Sequence, residues 1–122
     1  MYSRILVGTD GSETAAKAVQ RAVDLAAATG GSVTIASAGA PARVAEVLDA
    51  AAAAHRSAGV AVDAKRLDGE AATALVEEAG NGYDLLVVGN KGMTGPSRFL
   101  VSSVPNKVSH HAPCALLIVR TT

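Results

Sequence analysis

Apolar residues in this chain fall in short consecutive runs separated by stretches with helical spacing. Ile5-Leu6-Val7 is the first run, ended by Gly8-Thr9-Asp10-Gly11-Ser12. Consecutive apolar positions mean burial on both faces, as in a parallel sheet. Residues 13–28 change period: Ala15, Val19, Ala22, Val23 and Ala26 share one helical face, with Lys17, Gln20, Arg21 and Asp24 opposite. Ser12 suits the N-cap of that helix and Gly30 its stop. A β-branched strand follows over 32–38, and after Pro41 an Ala-rich helix runs from about 42 to 58, stopped by Gly59.

The second half repeats the alternation. Residues 60–67, VAVDAKRL, alternate as a half-exposed edge strand, where Lys65 and Arg66 discourage edge pairing. A short helix within 68–79 leads through a Gly-Asn-Gly turn to Leu85–Gly89, the most apolar strand and the expected centre of the sheet. A helix is expected from about Ser103 to His111, and ALLIVR, 115–120, is the last strand. Strands alternating with helices predict an α/β domain over 1–122: a doubly wound, three-layer parallel sheet of five strands with helices on both faces.

Composition narrows the function. Hydrophobic residues make up 49% of the chain and aromatics 2%, so Ala, Val and Leu must build the core. Acids and bases balance at 11 each, which argues against a nucleic-acid surface that works by counterion release, and against a membrane-binding surface. The single Cys114 forms no internal disulfide and reads as a small buried residue. No stretch resembles a signal peptide or a membrane span, so the expected location is cytoplasmic.

Candidate chemistry sits where two strands end. In open α/β sheets, ligands bind beyond the carboxyl ends of the strands at the switch point. After β-strand 85–89, Gly89, Gly92 and Gly95 recur every third residue, followed by Ser102-Ser103 and Pro105 at an expected helix start. Bare glycine backbone forms anion nests, and a helix start adds unpaired N–H groups, so the pattern suits phosphate. Lys91, Arg98 and Lys107 add positive charge with no acid between Gly89 and Lys107. An ordinary glycine-rich loop is the competing reading. No Gly-Lys-Ser/Thr closes a Walker loop, and the dinucleotide fingerprint belongs after the first strand. Asp10 suits either a hydrogen bond to a base or ribose, or a cap on the first helix. His110 and His111 suit a helix end better than a metal, and His55 a helix surface. No nucleophile lies beside a base, and a receiver-type acidic pair is missing because Asp10 stands alone.

These stretches, ILVGTDGS, YDLLVVGNKG and SSVPNKVSHHAPCALLIV, resemble the universal stress protein family, and the resemblance covers essentially the whole chain. It implies strand order 3-2-1-4-5 and ATP or another adenine nucleotide, with or without Mg2+, in the crevice between strands one and four. It further implies contacts from Thr9, Asp10, Gly11 and Ser12, backbone contacts near Ala38, and a phosphate loop of Gly89, Gly92, Ser102, Ser103 and Val104. A homodimer paired through residues 115–120 is implied as well. The role implied is a nucleotide-binding regulator of stress response with at most slow ATP hydrolysis; the alternative is a member that binds no nucleotide and acts through dimerisation and protein partners.

Two departures from the family's Gly-x2-Gly-x9-Gly-Ser/Thr pattern bear on that choice. Ser102 occupies the third glycine position, where its Cβ weakens binding if phosphate touches the backbone and its hydroxyl helps if the site is an N-cap. The connection after the second strand, Gly39-Ala40-Pro41-Ala42, is short, which removes one wall of an adenine pocket.

Overall fold

A computed structural model describes residues 2–55, 59–89 and 113–120. In chain order the elements are β1 (Arg4–Gly8), α1 (Glu13–Thr29), β2 (Ser32–Ala38), α2 (Pro41–Ala54), β3 (Ala61–Leu67), α3 (Ala71–Ala79), β4 (Leu85–Gly89) and β5 (Ala115–Val119). They form a five-stranded sheet in the order β3-β2-β1-β4-β5. Every pairing is parallel, with Val7 opposite Ile35 on one side and Val87 on the other. The expected α/β class and strand order therefore hold. The helix expected over 103–111 lies outside the described residues.

Alternation along the buried strands sorts their side chains into two apolar layers. Ile5, Val7, Val33, Ile35, Leu85 and Val87 pack against α1 and α2. Leu6, Ala36, Leu86 and Val88 pack on the opposite face against Ala74, Leu75 and Ala79 of α3. Alanines at 15, 18, 22 and 26 let α1 lie close to the sheet, and all four are buried. At the α1 start Ser12 is extended and its Oγ accepts from Ala15 N–H at 3.1 Å. At its end Gly30 takes φ +72°, a conformation that costs a glycine nothing.

Three expectations change. The central place that apolarity alone gave to 85–89 belongs to β1, as the implied order 3-2-1-4-5 has it, and β4 lies between β1 and β5. Helix α2 starts one residue early at Pro41, which serves as N1 without losing a hydrogen bond. It ends at Ala54 rather than 58, because His55 leaves the helical conformation (φ −116°, ψ 8°). β3 is the edge strand expected, yet its residues are exposed nearly throughout rather than alternating.

Polar ties hold the other end of the sheet. Asp84 accepts from the N–H groups of Ser3 and Arg4 at 3.0 and 2.9 Å. Arg4 donates to the carbonyls of Asn81 and Gly82 and lies over the Tyr83 ring, 4.5 Å from its centroid. The buried Glu78 carboxylate accepts from Lys65 at 3.0 Å through both oxygens, from Tyr83 Oη at 3.0 Å and from Asn81 at 3.1 Å. Burial alone would raise its pKa, but these donors and the Lys65 charge outweigh it and hold the carboxyl below its ordinary value. Cys114 is half-buried rather than fully buried; burial, with the Asp84 charge behind it, pushes its thiol pKa up.

Candidate functional site

β1, β2 and β4 release their chains at the same edge of the sheet, so their C-terminal ends collect the candidate residues. Thr9 continues β1 by one further bond, donating its N–H to the Ala36 carbonyl at 3.0 Å. The chain then turns sharply. Thr9 Oγ1 accepts from Gly11 N–H at 3.1 Å, and Asp10 Oδ1 accepts from Ser12 N–H at 2.9 Å. Gly11 sits between them at φ +85°. These are side-chain-to-backbone turns that Thr and Asp make readily. Their effect is to aim Ser12 at the first turn of α1.

The helix cap is therefore Ser12, and Asp10 serves the turn before it. Asp10 is left half-buried, with its second carboxylate oxygen bonded to no described residue. That oxygen is an acceptor for an incoming hydroxyl or amino group.

β2 ends at Ala38, and only Gly39 and Ala40 separate it from α2. Gly39 takes φ +139°, and Ala40 offers no side-chain cap. This short link draws the first turns of α2 over the β1 loop. A cavity of about 140 Å³ results, walled by Asp10, Ser37, Ala38, Arg43, Val44 and Val47. Beside it an open groove of about 430 Å³ runs between α1 and α2. Thr9, Gly11 and Ser12 line one part of that groove, and His55 lines it as well.

Gly89 ends β4 fully interior, opposite Val119 of β5. Since Val87 pairs with Val7, Gly89 and Thr9 leave the sheet on adjacent strands. The structure thus brings together Thr9, Asp10, Gly11, Ser12, Ala38 and Gly89 at one edge. Gly92, Ser102, Ser103 and Val104 lie outside the described residues, as do Lys91, Arg98, Lys107, His110 and His111. Among the described residues no group of three His, Cys, Asp or Glu side chains is placed to hold a metal ion. No described helix is long and apolar enough to cross a membrane.

Sequence reasoning missed three residues of this edge. Arg43 and Val47 lie one helical turn apart and both wall the smaller cavity. The spacing was visible, but it points at the crevice only once α2 is known to start two residues after β2. His55 was expected on a helix surface; it closes the α2 C-terminus and lines the groove half-buried.

Known proteins share the fold of this chain. The model of the universal stress protein family matches residues 1–120. Universal stress protein Rv1636 of Mycobacterium tuberculosis is 36% identical over 144 residues, covering 99% of this chain and 98% of that protein. A crystal structure of that Rv1636 protein superposes with a TM-score of 0.68 at 41% identity, covering 99% of this chain and 97% of the other. A universal stress protein crystallised in complex with cAMP superposes with a TM-score of 0.80 at 31% identity, covering 99% of each chain.

Proposed function

This chain belongs to the universal stress protein family, and we propose that it binds an adenine nucleotide at the carboxyl edge of its sheet and acts as a regulator of stress response rather than as an enzyme. The observation that carries the reading is the convergence of Asp10, Ala38 and Gly89 at the ends of three adjacent strands. Support comes from the relative that was crystallised with cAMP, since the likeness to it spans 99% of this chain.

Each residue has a task its chemistry suits. Asp10 accepts from the ribose hydroxyls or the base amino group through its unpaired oxygen. The backbone at Ala38 meets the base, and Val44 and Val47 give it an apolar wall. Thr9, Gly11 and Ser12 shape the turn that fixes Asp10 and border the sugar. Phosphate goes to Gly89 and the segment beyond it, with Gly92 offering bare backbone and Ser102, Ser103 and Val104 offering hydroxyls and N–H groups at a helix start. ATP is the nucleotide proposed. Mg2+, where present, would ride on the phosphates and keep its waters. The chain supplies no described base beside a nucleophile, so turnover is at most slow ATP hydrolysis. The location proposed is cytoplasmic.

One observation favours a second reading, a member that acts through self-association. β5 is an edge strand, and Ile118 on it is 41% exposed. An apolar edge is a template for pairing with another chain. The homodimer proposed here pairs through residues 115–120, and it accommodates both readings. Calorimetric titration of ATP, AMP and cAMP separates them: heat that saturates with any of the three supports the site, and none with all three leaves self-association as the function.

A further inference from the structure

We propose that Arg43 is the base-binding residue of this site: its guanidinium stacks flat against the face of the nucleotide's base. The proposal rests on the nucleotide reading above and adds to it a residue and a chemistry for base recognition.

Arg43 sits on the wall shared by the small cavity and the α1–α2 groove. It lies in the first turn of α2, brought there by the two-residue link after β2. No described residue forms a hydrogen bond or an ion pair with it. It is the one Lys or Arg lining either cavity among the described residues. Arg43 is exposed, and a cation at a cavity wall with no described partner is available to a ligand.

The chain's poverty in aromatics says what that ligand part is. A flat base needs a flat or apolar surface, and proteins usually supply Phe, Tyr, Trp or His. Here Tyr2 precedes β1 and Tyr83 precedes β4, so both lie at the opposite edge of the sheet. Trp is absent from the sequence, and its single Phe, Phe99, lies outside the described residues. His55 lines the neighbouring groove but not the small cavity, so there the planar guanidinium of Arg43 is the π-stacking surface among the described residues, backed by Val44 and Val47.

Position and size favour base over phosphate. Arg43 follows β2, on the far side of β1 from Gly89, where the nucleotide reading begins its phosphate contacts. The cavity it shares with Asp10 holds about 140 Å³, below the ~300 Å³ of a whole small-molecule site. It has room for a base alone. With Arg43 against the base's face, the Asp10 carboxylate, which only accepts, is left to meet a donor on the base's edge or on the sugar.

The test titrates adenosine and AMP into the full chain and its Arg43→Ala and Arg43→Lys variants, with urea midpoints to confirm that folding is unchanged. Arg43→Ala should weaken both ligands by the same factor, about 3- to 20-fold. Arg43→Lys should recover little, because an ammonium keeps the charge but not the flat face. Full rescue by Lys, a loss seen with AMP but not adenosine, or no loss at all would each overturn the proposal. Absence of binding by the unaltered chain would instead overturn the nucleotide reading itself, and Arg43 with it.

Discussion

Gly11 lies against Val47: a Cβ added at Gly11 would stand 2.8 Å from Val47 Cγ2. The same glycine holds φ +85°, so the position refuses a side chain on two independent grounds. This contact records how closely α2 settles over the β1 loop after its two-residue link. Gly11→Ala should destabilise the fold by about 1–3 kcal/mol, read as a lower urea midpoint. Adding Val47→Ala should restore the part due to crowding and leave the backbone part. Complete restoration would mean the turn carries no strain.

The Glu78 carboxylate gives stability its acid limb. Its pKa lies below the ordinary 4.5 in the fold, because Lys65, Tyr83 and Asn81 donate to it more than burial penalises it. A depressed carboxylate contributes stability that is present above its unfolded pKa and lost as pH falls through the folded one. Lys65 is half exposed, which screens the pair, so Glu78→Ala should cost about 1–2 kcal/mol at pH 7. The cost should shrink below about pH 4. Urea unfolding of both proteins between pH 7 and pH 3 checks this; a constant difference would remove Glu78 from the acid transition.

Ile118 tests the β5 interface. Replacing it by Lys puts a charge on the exposed edge and leaves the buried Val119 in place. Sedimentation should shift from dimer to monomer, with little change in the unfolding midpoint of the monomer. A dimer that survives Ile118→Lys would place the interface elsewhere.

How much of this was legible beforehand follows the range of the interactions. Ser12, Gly30 and the run 85–89 announce themselves because caps, stops and buried strands are set by near neighbours. The two apolar layers were likewise readable, from alternation between Leu6 and its neighbours Ile5 and Val7. The central place of β1 came only through the family resemblance, since strand order depends on crossovers that no window of residues contains. The end of α2 was missed because 50–54 is an unbroken run of Ala, which propagates a helix without marking where it stops. Asp10 was read as either a ligand contact or a helix cap, and its local task is a turn rather than a cap. Arg43 and Val47 reach the cavity beside Asp10 only through the short β2–α2 link, a geometric consequence that charge and periodicity do not reveal.

The central claim is tested most directly by calorimetric titration of Mg-ATP into the unaltered chain and its Asp10→Ala variant. The proposed site predicts micromolar binding, about −8 kcal/mol, by the unaltered chain. It predicts at least a tenfold loss, about 1.4 kcal/mol, when the Asp10 carboxylate is removed. Absence of heat at millimolar ATP, binding weaker than about −4 kcal/mol, would contradict it. So would full affinity without Asp10, which would move the nucleotide away from the end of β1.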